Sequence, residues 1–167
     1  MKGGISMSLN PFFSEKKIPE RKPVVINSPV NPAQSKKSIK PRKTRSDKTH
    51  NLKFPVTPVE HMELRTTCKQ VSNLYKQLKN DDLTQTKFNT YLLNYALKNL
   101  AIVNWNRPYQ DSKKYMHVTP LETIYQDIGG PHGLAIQKGI SERKVTFYLV
   151  LSALKFIKGD GDYAKIF

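Results

Sequence analysis

Cysteine is almost absent from this chain of 167 residues, and Cys68 is the single one. One cysteine excludes an intrachain disulfide framework and fits a reducing compartment. No apolar run approaches the roughly 20 residues that span a bilayer. The apolar stretch Ile5–Leu9 is too short for a secretory leader and runs into Asn10-Pro11. These absences lead to the expectation of a soluble, cytoplasmic protein without a membrane partner. His50, His61, His117 and His132 share no ligand spacing, and Cys68 has no cysteine partner, so no metal site is expected. Asp160 and Asp162 open no calcium-loop pattern. Gly129-Gly130-Pro131-His132-Gly133 lacks both the Lys-Ser/Thr and the GxGxxG spacing of phosphate loops, and Pro131 removes an N–H that a phosphate would need. It reads as a helix stop and turn. No nucleophile stands at a recognisable spacing from a base. The expectation is a protein that is not an enzyme and holds no cofactor.

Acidic residues are scarce too: 13 Asp/Glu face 28 Lys/Arg, for a net charge of +15. The excess is uneven. Residues 1–50 hold 12 Lys/Arg against 3 Asp/Glu, while residues 51–104 hold 7 against 4 and residues 105–167 hold 9 against 6. The first segment, 1–48, also holds six of the eleven prolines and little periodicity. Such a composition cannot bury enough apolar area to offset its ordering entropy, and it reads as a disordered basic arm. Its densest run includes Lys40, Arg42, Lys43 and Arg45. A basic arm implies a polyanionic partner. Leu9–Phe13 is an aromatic island in it, either a docking peptide or a stray apolar patch.

From Thr49 the pattern changes. Leu52, Phe54 and Val56 alternate with Thr49, Asn51 and Lys53, which gives a strand with one apolar and one polar face. Thr57, Pro58 and Glu60 then form a capping box with proline at the first helical position. Leu64, Cys68, Val71, Tyr75 and Leu78 make an apolar stripe, on which Cys68 is a small buried residue. Lys79–Asp82 make a turn. A second helix starts at Thr84 and carries Phe88, Tyr91, Leu92, Leu93, Tyr95, Ala96, Leu97 and Leu100, with little polar face left. One strand and two helices are too little chain to bury a core alone. The expected solution is a homodimer whose strands pair across the twofold axis and whose second helices cross.

This segment resembles the ribbon-helix-helix DNA-binding family, the Arc and MetJ type. Asn51-Leu52-Lys53-Phe54-Pro55 is similar to the Arc strand, with Lys for Arg and Phe for Trp. The resemblance covers about a third of the chain, residues 48–100. It implies a mainly α fold with one intermolecular antiparallel β-ribbon lying in the major groove of double-stranded DNA. Thr49, Asn51 and Lys53 would read bases: asparagine can bond adenine bidentately and lysine can donate to guanine. Thr84, Gln85, Thr86 and Lys87, at the second helix's start, would hold a phosphate by dipole and N–H groups. Transcriptional repressors are the broadest class of such proteins. Others are antitoxins, plasmid partition proteins that mark a centromere and engage an ATPase through an arm, and relaxosome accessories that serve a relaxase. In the partition case Arg42 or Arg45 is the candidate contact. A reading from another class is an interaction protein whose arm binds an acidic partner without DNA.

Residues 105–115 are polar and read as a linker between a unit at 49–104 and a helical unit at 116–167. Thr119-Pro120-Leu121-Glu122 repeats the earlier cap design, and Gly129-Gly130 would stop that helix. Ser141 caps a last helix with Val145, Tyr148, Leu149, Ser152 and Phe156 in line, and Gly159–Asp162 end it. Residues 134–145 resemble a helix-turn-helix, with Gly139 at the turn and Ser141, Arg143 and Lys144 opening a DNA-reading helix. Lys138 breaks the apolar pattern of that motif. The other reading of this unit is oligomerisation, including higher oligomers on DNA. The arm's charge carries a direct test. Deleting residues 1–45 should lower affinity for duplex DNA and flatten the salt slope by roughly 0.9 per lost phosphate contact, with the preferred sequence unchanged. An unchanged slope would assign the arm to a protein partner.

Overall fold

The computed structural model describes residue 45 and residues 47–167, so the basic arm with Lys40, Arg42 and Lys43, and the Leu9–Phe13 island, lie outside the described residues. Strand β1 (Leu52–Pro55) leads into helix α1 (Pro58–Lys79) through the expected capping box. The Glu60 backbone N–H donates to Thr57 Oγ1 at 3.3 Å, and the Thr57 N–H donates to the Glu60 carboxylate at 2.8 Å. Leu64, Cys68, Val71 and Tyr75 are buried, but Leu78 is 51% exposed. The last turn of α1 therefore runs past the core. Asn80 closes it in the left-handed region at φ 52°, which asparagine tolerates better than most residues. Helix α2 (Gln85–Lys98) is capped by Thr84 and buries Phe88, Leu92, Leu93 and Ala96.

Residues 105–115 do not form a free linker. Trp105 meets Tyr148 edge-on at 5.8 Å, and Tyr109 meets Phe147 at 5.1 Å. Arg107 pairs with Glu60 at 3.1 Å, and the Ser112 hydroxyl donates to the Val56 carbonyl at 2.6 Å. Strand β2 (Tyr115–Val118) follows and pairs antiparallel with β1. Leu52 lies opposite Val118, Lys53 opposite His117, Phe54 opposite Met116 and Pro55 opposite Tyr115. The sequence reading missed β2. Its argument for a strand partner in a second subunit rested on a single strand, whereas the described residues contain two.

The ladder also explains why the second cap design fails. The His50 N–H donates to the Pro120 carbonyl at 2.9 Å, and the Glu122 N–H donates to the Lys48 carbonyl at 2.8 Å. A bridge joins Thr49 to Leu121 between them. Pro120 and Leu121 are held extended, so helix α3 (Glu122–Gly129) starts two residues later than Thr119 would dictate, with no side-chain cap. Helix α4 (Leu134–Lys138) ends at Gly139, where φ is 64°, a conformation that glycine adopts without penalty. Helix α5 (Glu142–Asp160) is capped by Ser141, whose Oγ accepts from the Lys144 N–H at 3.3 Å.

α5 is the centre of the molecule. It is buried without interruption from Val145 to Leu154, and not along the single stripe expected, while Phe156 is 42% exposed. It packs against α2 and beneath β1, and α2 packs beneath β2. The core therefore draws Phe54, Leu64, Phe88 and Leu92 from one side of residue 105 and Met116, Val118, Phe147 and Leu149 from the other. Each fully buried Leu or Phe contributes about 1.5–3 kcal/mol, so neither half is dispensable. A fragment of residues 46–104 loses the strand opposite β1 and the helix opposite α2. It should show no cooperative thermal transition. A cooperatively folded dimer of that fragment at micromolar concentration would show that α5 is not needed.

Candidate nucleic-acid interface

Successive residues of the ladder point to opposite faces. Phe54, Met116 and Val118 face inward and are buried, with Leu52 half-buried beside them. Thr49, Asn51 and Lys53 are all exposed, so the three residues expected to share a face are together at the surface. β2 adds residues that the sequence reading did not select. His117 stands opposite Lys53, and Tyr115, 40% exposed, stands opposite Pro55. The signal for them was present, since Tyr115, Met116, His117 and Val118 also alternate. That alternation spans only four residues and follows a polar stretch.

The two strands are joined across this face. Asn51 Oδ1 lies 2.9 Å from His117 Nδ1. An amide oxygen only accepts, so Nδ1 carries a proton, and in the uncharged form of the ring Nε2 is an acceptor. Beneath β2, the buried Asn89 donates its Nδ2 to the His117 carbonyl at 3.1 Å, and the Thr119 N–H donates to Thr90 Oγ1 at 2.9 Å. These bonds from α2 fix the strand's height and register.

The start of α5 comes to the same surface. The Arg143 guanidinium lies over the Tyr115 ring, 5.9 Å from its centroid, and Lys144 lies 5.5 Å from the Tyr109 centroid. Arg143 thus sits beside the ribbon's β2 strand, Lys144 beside Tyr109 in the segment that leads to it, and Ser141 serves as the cap of α5. A recognition helix needs an exposed face along its length, and α5 has none from Val145 to Leu154. Only its first turn is available. Nearby, burial foremost, then the charges of Lys114 and Arg65, hold His61 below the usual imidazole range.

The residues at the start of α2 have mixed commitments. Thr84 Oγ1 accepts from the Lys87 N–H at 3.3 Å. Gln85 turns inward, donating to Asn89 Oδ1 at 2.9 Å and to the Leu64 carbonyl at 3.4 Å. The Thr86 carbonyl accepts from the Thr90 hydroxyl at 2.8 Å. Lys87 Nζ bonds Asp81 at 2.7 Å, which raises the lysine's pKa and lowers that of Asp81. Gln85 is therefore spent on the fold, while Lys87 is held by an exposed pair of the weak kind that a phosphate can displace. Arg45 is paired with Asp47 at 2.7 Å.

At the base of the arm, Glu122 gathers the chain. Its carboxylate accepts from Lys48 Nζ at 2.8 Å and from His50 Nε2 at 2.5 Å. The His50 ring stacks on Tyr125 at 3.7 Å, and the Tyr125 hydroxyl donates to Glu142 at 3.0 Å. The Lys48 bond, followed by those of His50 and Gln126, holds the Glu122 carboxyl at about 2. A depressed carboxyl stabilises the fold above its ordinary value of 4.5 and loses that contribution as the pH falls from there through about 2. Acid titration should loosen the Lys48–His50 pairing in that window, read by exchange of the His50 and Glu122 amides. Glu122→Gln should flatten the titration; an unchanged acid response in that variant would remove Glu122 from this role.

Among the described residues no group of His, Cys, Asp and Glu is arranged to hold a metal, and no helix is long and apolar enough to cross a membrane. Burial pushes the Cys68 thiol up, as suits an inert core position. Comparison with protein-family models, with curated proteins and with solved structures gives no match.

Proposed function

We propose that the chain is a sequence-specific double-stranded DNA-binding protein that lays the β1–β2 ribbon in the major groove. The observation that carries this reading is the ribbon's outer face, with exposed Lys53 on β1, exposed Asn51 just before it and half-buried His117 on β2. A two-stranded ribbon fits that groove, and amide, ammonium and imidazole groups are suited to base edges. The family that residues 48–100 resemble builds its ribbon from two subunits. Here one chain supplies both strands, and a second subunit is not required to complete the reader. Arg143, Lys144 and Lys87 then stand as phosphate contacts, and the basic arm adds affinity without sequence choice. The biological role that fits best is transcriptional repression; in the partition and relaxosome versions the arm engages an ATPase or a relaxase.

Selection of bound sites from random duplexes tests the reading. Asn51→Ala and Lys53→Ala should leave helical content unchanged, because both side chains are exposed. Each should cost about 1–3 kcal/mol at the selected site. Asn51→Ala should change non-specific binding much less. If both variants bind the selected site as tightly as the parent, the ribbon is not the reader.

A further inference from the structure

A ribbon made from two copies of one strand repeats its side chains about a twofold axis, and its base code is palindromic. This ribbon repeats none. Lys53 stands on β1 with Thr49 and Asn51 on the segment that leads into it, whereas Tyr115, His117 and Thr119 run along the other side. The helices behind the strands differ as well: α5 of 19 residues lies beneath β1 and α2 of 14 residues beneath β2.

Resting on the DNA-binding reading above, we propose that a single chain reads a non-palindromic site, with His117 as the base-reading residue of the β2 half and Arg143 as its phosphate contact. His117 suits the task because its Nδ1 is occupied by Asn51 Oδ1 at 2.9 Å. With Nδ1 donating to Asn51, the uncharged form of the ring turns an acceptor, Nε2, to a partner. The major-groove groups that donate to an acceptor are the exocyclic amines of adenine and cytosine. The same bond leaves Asn51 its Nδ2 donor, which suits adenine N7 or guanine N7 and O6. Asn51 and His117 therefore form one unit, with a donor from β1 and an acceptor from β2. Tyr115 does not read. Its hydroxyl donates to Asp111 at 3.2 Å and its ring lies beneath Arg143, so it is a platform that positions the guanidinium at this end of the ribbon. A guanidinium with its donors in a fixed fork suits a phosphate.

The experiment is site selection from random duplexes by the full chain, repeated with Asn51→Ala, His117→Ala, His117→Gln and Arg143→Ala. The mass of each saturated complex is measured alongside. The parent should select a non-palindromic motif and bind it as one chain per site. His117→Ala should bind that motif roughly tenfold more weakly, the scale of one good base contact, and relax one base pair; Asn51→Ala, which frees the ring's tautomer, should relax that base pair together with the one Asn51 reads. His117→Gln retains a donor and an acceptor and should shift the preference at that position; it decides the matter should the alanine variant lose its fold by circular dichroism. Arg143→Ala should weaken all sequences alike, reduce the salt slope by about 0.9 and keep the motif. A palindromic motif bound by two chains, or a motif unchanged by both His117 substitutions, overturns the proposal and leaves DNA binding in place. No salt-dependent binding of any duplex by the parent overturns both.

Discussion

Four cross-strand pairs, from Leu52 with Val118 to Pro55 with Tyr115, join segments separated by two helices and a loop. Closing so long a loop costs entropy that the ladder's own hydrogen bonds do not offset. The closure is stabilised by what it covers. Phe54, Val56, Met116 and Val118 are pressed onto α5 and α2, and they cover the side of that helix pair that α1, α3 and α4 share with them in one core. The dependence runs both ways. Without α5, β1 has nothing to cover, and without the ladder the inner face of the helix pair is open to water. The polar face of the ribbon is a by-product of the same pleat: a strand that buries Phe54 must present Lys53 outward.

Local chemistry was legible where the local signal was complete. Thr57-Pro58-Val59-Glu60 specifies a helix start by itself, and the capping box forms as read. Ser141 and Gly139 likewise mark their helix ends through side-chain oxygen and backbone freedom. Thr119-Pro120-Leu121-Glu122 carries the same letters and behaves differently, because Lys48–His50 compete for the same backbone groups and hold them extended. That competitor lies some seventy residues away in the chain, as the 72-residue separation of His50 from Glu122 shows, and no local window contains it. The boundary at 105–115 failed for a related reason. Its residues are polar enough for a linker, yet Trp105, Arg107, Tyr109 and Ser112 each contact a distant element through a specific geometry that composition does not encode.

The surface shows the same division. That Thr49, Asn51 and Lys53 are exposed was legible in the sequence, because alternation alone decides which side of a strand they take. His117 was set aside because it has no ligand spacing, a test suited to metals and silent about strand faces. Arg143 was attached to a separate helix-turn-helix, since nothing in residues 134–145 says that α5 will be swallowed by the core. Gln85 erred in the opposite direction. It stands at the first residue of α2, where a polar side chain reads as free, and its amide instead bridges to the Leu64 carbonyl and Asn89. Sequence pattern thus located faces well and located neighbours poorly, because a face follows from periodicity and a neighbour follows from the closed fold.

Holding both strands in one chain changes the physics of a ribbon reader beyond its symmetry. In a two-subunit ribbon the reader exists only above the dimer's dissociation constant, so folding and DNA binding share one concentration dependence. When the second strand is tethered, its effective concentration is set by the intervening chain and is independent of how much protein is present. On the proposed reading, recognition by such a chain would be a bimolecular event between one protein and one site. The cost is that each half of the reader must be specified separately in the sequence, with no symmetry to copy a contact from one strand to the other. The gain is that the halves are free to differ. Lys53 facing His117 across the ladder is the smallest instance of that freedom: a permanent cation on one strand opposes an imidazole on the other, in a position where a symmetric pair of lysines would repel.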